Sequence, residues 1–263
     1  MDELRPPRVG VLGLGEAGMA IAIDLRDAGA AVRAYDPVAS APSGVEGCAN
    51  EAAAATGVDL VMSANSSDVA LKALRAGCAG AAPGTVWADL NTASPALKRR
   101  LAAVCAEAGL DFADVALMAP VPGRGLRTPA LACGAGAVRY AHLLAPLGAD
   151  VDVLDAPPGA AAARKLLRSV FLKGLAAALV EALAAARAAG CEDWLRQNII
   201  DELTAADART VERLETGTRR HAARRAAELA ATVDLLTELG VPPRISTASR
   251  EWLEHLAAAR TTP

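Results

Sequence analysis

The sequence predicts an α/β fold in which a doubly wound, mainly parallel sheet is followed by an all-helical region. Three observations carry this: the first half alternates short apolar runs with Ala-rich helical segments, a glycine-rich turn joins the first run to the first such segment, and no strand pattern recurs after residue 159. Helical material between successive runs implies right-handed crossovers and strands covered on both faces. Strands are expected at residues 8–14, 31–36, 59–64, 85–91, 112–118, 130–133 and 151–154. Three of these runs break into polar residues or proline, at Ser63-Ala64-Asn65-Ser66, Asp89-Leu90-Asn91-Thr92 and Leu117-Met118-Ala119-Pro120. Ligands of open α/β sheets bind beyond the carboxyl ends of the strands, so these three ends are expected to face one.

The composition shifts at Asp155-Ala156-Pro157-Pro158-Gly159, which divides an expected sheet domain, 1–157, from an expected helical domain, 158–263. Helices are expected over 160–189, stopped by Gly190, from about 192, and over 207–239 with a break near Gly217. A last one follows Pro242-Pro243, with Ser246 or Thr247 as its N-cap.

The chain has 263 residues, 53% hydrophobic and 22% charged, with a formal net charge of -3. That is enough for a large core, and the mild acidity leaves no footprint for nucleic acid or for an anionic membrane. Aromatic residues, at 3%, are too few to stack single-stranded bases. Five scattered cysteines without a C-x-x-C pair read as reduced core thiols in the cytoplasm. The charged start, Met1-Asp2-Glu3-Leu4-Arg5, carries no apolar secretory segment. The apolar stretch over 175–189 is interrupted by Glu181 and Arg187, and is expected to be a buried helix with no membrane role. No His/Cys/Asp cluster has metal-ligand spacing. Ala-rich apolar helices in a small unit point to burial against a second copy, and so to a homodimer formed through the helical domain.

The turn itself reads Val9-Gly10-Val11-Leu12-Gly13-Leu14-Gly15-Glu16-Ala17-Gly18 and closes on Gly29 before Val32-Arg33-Ala34-Tyr35-Asp36. A Gly-x-Gly-x-x-Gly set between a strand and a helix, followed by a strand ending in an acid, is the dinucleotide-binding fingerprint of a Rossmann domain. Gly13 allows the tight turn, Gly15 lets backbone approach a pyrophosphate, and Gly18 lets the helix pack on the strand. Leu14, Glu16 and Ala17 complete the cradle, with phosphates held at the helix N-terminus. Asp36 stands where a carboxylate accepts hydrogen bonds from an adenosine ribose. It would repel a 2′-phosphate, so NAD is favoured over NADP. Asn65 and Ser66 are expected beside the pyrophosphate and ribose, and Asn91 and Thr92 beside the nicotinamide.

Beyond the sheet, Lys165, Ser169 and Lys173 recur every four residues and share one helix face. Periodicity alone does not decide between a solvated stripe and a stripe facing a cleft. The chain resembles the β-hydroxyacid dehydrogenase superfamily through GLGEAG, through D-L-N-T-A-S-P at 89–95, and through the lysine helix that leads into Glu181-Ala182. Within it, K-L-L-R-S-V-F-L-K-G-L, A-L-M-A-P-V-P-G and R-H-A-A-R-R-A-A-E-L resemble the branch with a short phosphogluconate-dehydrogenase-like C-terminal domain.

The resemblance implies an NAD-dependent oxidoreductase acting on a small anionic hydroxy acid, with Lys165 as general acid and base and Ser169 in place of the family's asparagine. Nearby Lys173 and Arg168 would lower the basicity of Lys165. It places the loop at Met118, together with Lys173, His221 and Arg225, on the substrate side. Met118-Ala119-Pro120-Val121-Pro122-Gly123 departs from the family's serine-glycine-glycine loop, which puts the identity of the substrate in doubt. Two alternatives stand beside this reading: reduction of a C=N bond, as in the related imine reductases, and a non-catalytic protein that only binds NAD.

Overall fold

The computed structural model describes residues 5–259. Two compact units meet at Arg168 and Ser169. The first holds β1 (Arg8–Leu12), α1 (Glu16–Asp27), β2 (Ala31–Tyr35), β3 (Glu46–Gly47), α2 (Glu51–Ala55), β4 (Leu60–Ser63), α3 (Ala70–Cys78), β5 (Val86–Asp89), α4 (Pro95–Glu107), β6 (Asp111–Leu117), β7 (Ala130–Cys133), α5 (Ala137–Leu144) and β8 (Val151–Val153). They form one sheet of order β3-β2-β1-β4-β5-β6-β7-β8. β1 is central, with Val11 opposite Ala34 on one side and Met62 on the other. Every residue of β4 and β5 is buried, as expected of parallel strands covered on both faces.

One face packs Val9, Val11 and Met62 with Ile21, Leu25, Tyr140 and Leu144 of α1 and α5. The other packs Leu12, Val61 and Trp87 with Ala54, Leu74 and Leu101 of α2, α3 and α4. One pairing departs from the parallel pattern: β7 runs antiparallel to β6, and β8, parallel to β7, shares its direction. The connection between them contains only a short 3-10 turn, Gly125–Arg127, and no helix to carry a parallel crossover. β3 and α2 are too short to leave a periodic signal. α2 is set by Asn50, whose side chain accepts the Ala53 N–H at 2.8 Å.

α6 (Ala160–Ala188) starts in the first unit, and the second unit continues through α7 (Glu192–Thr204), α8 (Ala208–Arg220), α9 (Ala222–Glu238) and α10 (Arg244–Ala259). The break expected near Gly217 falls at His221, because Gly217 stays inside α8. α10 starts at Arg244, ahead of the expected cap. The Ile245 and Ser246 N–H groups each donate to the Glu181 carboxylate at 2.8 Å, and the Ser246 hydroxyl donates to it at 2.7 Å. The cap thus comes from another helix. Burial alone would raise the Glu181 pKa; these donors outweigh it and hold the carboxyl below its usual range.

The expectation of a buried apolar helix is corrected. α6 is long and apolar enough to cross a membrane by length and composition, yet only 11% of its most apolar window is buried. Val170, Phe171 and Val180 are 74%, 65% and 69% exposed. Its Ala, Leu and Val residues are spread around the whole helix, so no one face can bury them all.

Candidate active site

The glycine turn has the geometry its residues require. Gly13 has φ of 95°, and a Cβ there would lie 2.7 Å from the Asn65 nitrogen at the end of β4. A Cβ on Gly18 would strike the Gly13 carbonyl oxygen at 1.9 Å, so α1 packs against the turn only because that position is glycine. Gly15 differs: a Cβ there meets nothing within 4 Å. Gly15 is also the N-cap of α1 and provides no side-chain cap, which leaves first-turn N–H groups for an anion. This open backbone at a helix N-terminus fits a dinucleotide pyrophosphate.

Leu14 is buried in the core, Glu16 is exposed in the first turn of α1, and Ala17 is half-buried. The Leu14 N–H donates to Asp36 at 2.8 Å, and the Val38 and Ala39 N–H groups donate to the same carboxylate, each at 2.8 Å. Burial would raise the Asp36 pKa, but the three N–H donors prevail and lower it, so the group is an anion at neutral pH. It joins the glycine turn to the end of β2 and fixes a negative charge there.

A cavity of about 230 Å³ lies beyond the strand ends of the first unit. Its lining comprises Ala17 from α1, Ala64 and Asn65 after β4, Leu90, Asn91 and Thr92 after β5, Leu117, Ala119 and Val121 at the end of β6, and Lys165 from α6. The two asparagines meet: the Asn91 amide nitrogen donates to Asn65 Oδ1 at 2.9 Å. It also donates to Asp89 Oδ2 at 2.9 Å, while the Asn91 N–H donates to Asp89 Oδ1 at 3.1 Å. Asn91 is therefore held by the acid that ends β5. Ser66 is exposed and bonds Asp68 outside this lining.

Under the cavity lies a charge cluster without counterpart in the sequence reading. Lys98 of α4 is wholly buried, and its ammonium donates to the Asp89 carbonyl and to Asp89 Oδ1, both at 2.7 Å, and pairs with Asp114 Oδ1 at 3.1 Å. The other Asp114 oxygen accepts the Gly159 N–H at 2.9 Å and the Ala162 N–H at 3.2 Å. A strand acid thus caps α6, and one lysine ties that cap to the acid that orients Asn91. Gly159, with φ of 101°, lies against Pro95 at the start of α4, where a Cβ would come 2.9 Å from the Pro95 oxygen. The first turns of α6 are anchored from two sides, and Lys165 is one turn beyond Ala162.

The other expected residues are spread more widely. Met118 packs its side chain on Ala116, Cys133 and Ala161, while its neighbours Leu117 and Ala119 line the cavity. Its carbonyl accepts a hydrogen bond from Arg168 at 2.7 Å. Ser169 is half-buried one turn after Lys165, at the start of the second unit, and Lys173 is exposed. His221 is exposed between α8 and α9. Arg225 is half-buried, donates to Thr218 and lines a second-unit cavity with Arg224, Glu228 and Trp252. Among the described residues no group of His, Cys, Asp or Glu could hold a metal ion.

Residues 8–127 match the NAD binding domain of 6-phosphogluconate dehydrogenase, and residues 186–256 match a domain of unknown function, DUF1932. A curated relative, 2-(hydroxymethyl)glutarate dehydrogenase of Eubacterium barkeri, is 26% identical over 205 residues, covering 73% of this chain and 68% of its own. The solved structure of the conserved protein MTH1747, described as structurally similar to 3-hydroxyacid dehydrogenases, is 29% identical with a TM-score of 0.61, covering 96% of this chain and 98% of that one. The imine reductase of Myxococcus stipitatus in complex with NADP+ shares the fold, with a TM-score of 0.81 at 18% identity, over 96% of this chain and 95% of that one. An NAD(P)-binding sheet followed by a helical C-terminal region, the two family matches and these relatives together support the β-hydroxyacid dehydrogenase superfamily.

Proposed function

We propose that this protein is an NAD-preferring oxidoreductase that interconverts a small hydroxy acid, or a related polar alcohol, with its carbonyl form. The observation that carries the proposal is that one cavity is lined both by Ala17, from the nucleotide-turn helix, and by Lys165. A bound nicotinamide supplies the hydride acceptor or donor. In oxidation, Lys165 takes the hydroxyl proton as hydride leaves the carbinol carbon; in reduction it returns that proton to the carbonyl oxygen. Its charged form also stabilises a developing alkoxide. Asn65 and Asn91 hold one another at the strand ends and orient the reactants, with Thr92 at the rim. Ser169 and Lys173 continue the Lys165 face of α6.

Turnover of carbonyl acids with NADH oxidation, set against cyclic imines, tests the reaction class. The 2-(hydroxymethyl)glutarate of the curated relative suggests starting the panel with hydroxy acids and their keto or aldehyde forms. Faster turnover of imines, or tight NADH binding with no turnover across the panel, refutes the proposal.

The preference for NAD rests on Asp36. It is ionised, and residues 37–45 that follow it carry no lysine or arginine to receive a 2′-phosphate. Asp36→Asn is expected to shift the NADPH-to-NADH affinity ratio toward NADPH by about 10-fold or more, in line with a like-charge contact of about 1–4 kcal/mol. Fluorescence titration with both cofactors measures it. Tighter NADPH binding by the parent protein would reverse the assignment.

The exposed apolar surface of α6 supports a homodimer. Val170, Phe171 and Val180 are too large and too exposed to remain in water without cover. Glu181, bonded to the start of α10, and Lys173 and Arg187 on the same helix argue that this cover is protein and not lipid. Analytical ultracentrifugation should find a dimer that Phe171→Glu shifts toward monomer. A parent protein that stays monomeric at ~100 μM, well above typical dimer dissociation constants, excludes it. The five free thiols suit a reducing cytoplasm.

A further inference from the structure

Residues 118–129 join β6 to β7, and this connection supplies apolar lining to the cavity beyond the strand ends through Ala119 and Val121. A connection of this length, with no helix beyond one 3-10 turn, is ordinarily among the more mobile parts of a domain. Here it is bonded to itself and to α1. The Arg124 and Gly125 N–H groups both donate to the Val121 carbonyl, at 2.9 and 2.8 Å, and the buried Thr128 hydroxyl donates to the Gly125 carbonyl at 2.8 Å. Val121 and Leu126 are buried in the core cluster that contains Ile21 and Leu25 of α1, so Val121 belongs at once to that core and to the cavity lining. Pro120 and Pro122, on either side of Val121, each have a fixed φ and stiffen the segment.

The tie that reaches furthest is made by Asp24. Its Oδ2 accepts the Leu126 N–H at 2.9 Å, across 102 positions of sequence. The fit is close: a Cβ on Gly125, whose φ is 50°, would lie 1.9 Å from the same oxygen. Ala17, Ile21 and Asp24 follow one another at intervals of four and three, so they share one face of α1. That face lines the cavity at Ala17, beside the glycine turn, and about 10 Å further along the helix it grips the connection at Asp24. The helix that offers its N-terminus to a dinucleotide is therefore also the beam on which the apolar wall is mounted.

We propose that Asp24 is a positioning residue for specificity. By pinning the β6–β7 connection to α1 it holds Ala119 and Val121 as a rigid apolar gauge, and the site admits a substrate whose group against that wall is small and aliphatic. The substrate part of this inference rests on the reaction class proposed above; the clamp rests on the Asp24 contact alone. A wall that does not yield discriminates by size, since one surplus methylene in an apolar site costs roughly 10- to 200-fold. A wall released from α1 gives way and tolerates the larger group.

The test compares the full-length parent with Asp24→Ala, Asp24→Asn and Gly125→Ala. Hydrogen exchange reads the clamp without turnover: peptides covering 119–128 should exchange about 10-fold faster in Asp24→Ala and in Gly125→Ala, as loss of one buried hydrogen bond implies, while those covering β1 and β4 keep the parent rate. Asparagine retains an acceptor oxygen, so Asp24→Asn should stay within a few-fold of the parent. Faster exchange throughout the first unit would mark a general structural role and overturn the inference. Specificity is read with NAD and with 3-hydroxypropionate against its 2-methyl, 2-ethyl and 2-isopropyl derivatives. In Asp24→Ala the ratio of kcat/KM for the smallest substrate over the bulkiest should fall about 10-fold, and Asp24→Asn should recover most of it. A structural defect would depress all four substrates together, so an unchanged ratio overturns the inference, as does unchanged exchange. A parent protein that turns over none of the series refutes the reaction class; faster exchange confined to 119–128 in Asp24→Ala then keeps the clamp, and its absence removes both.

Discussion

Lys165→Ala should bind NADH with the affinity of the parent protein and lose at least ~100-fold in turnover, the lower end of what a positioned general acid or base contributes. The two halves of this expectation come from different parts of the first unit. The nucleotide cradle is built from the glycine turn, Asp36 and the strand ends, none of which Lys165 belongs to. The start of α6, in turn, is held by Asp114 and by the packing of Ala160 and Ala161 on Cys133 and its neighbours, so truncating Lys165 leaves the helix docked. Steady-state kinetics with the best substrate of the hydroxy-acid panel, alongside fluorescence titration of NADH, separates binding from chemistry. Turnover within a few-fold of the parent would end the claim that Lys165 moves the proton. A parallel loss of NADH binding would point to collapse of the site.

Lys98→Met should cost about 3–5 kcal/mol of stability, the usual penalty for removing one partner of a buried ion pair. Methionine has nearly the length of lysine and creates little void, so the cost is electrostatic. Asp89 and Asp114 are 1% and 0% exposed, and the change leaves both buried without their shared ammonium partner. Against a total stability of about 5–15 kcal/mol this is severe. Adding Asp114→Asn to Lys98→Met removes one stranded charge and should recover part of the loss, which a packing defect at position 98 would not allow. Urea unfolding of parent, single and double variants measures it. A single variant within 1 kcal/mol of the parent would show that water or relaxation screens the pair.

The legible parts of this chain were those whose cause is local. β1, β4 and β5 stood out because strands covered on both faces become short continuous apolar runs, and the glycine turn because its spacing states its geometry. Asn65, Asn91 and Thr92, singled out from strand ends, line one cavity with Lys165, which the helix stripe left undecided and the family resemblance selected. What stayed hidden depends on partners far along the chain. Lys98 stands beside Arg99 and Arg100 and reads as part of a basic surface run; only the arrival of Asp89 and Asp114 makes it a core residue. The start of α10 was misplaced because its cap is Glu181, 64 residues away from Ile245. The direction of β7 was illegible because it depends on a connection without a helix, and direction leaves no mark on the strand's own residues. α6 was expected to be buried on composition alone, and composition does not say whether the cover comes from the same chain.

The three glycines of the nucleotide turn answer to different demands. Gly13 and Gly18 are required by the polypeptide itself: a methyl group on either would overlap backbone that is there whether or not a ligand is bound. Gly15 faces open space, and the protein alone could accept a side chain there. Its smallness is therefore a record of something outside the chain. A descendant that kept this fold and abandoned its nucleotide would be free to enlarge position 15 while the other two stayed fixed. Of the fingerprint's glycines, Gly15 alone testifies to the guest; its companions testify to the house.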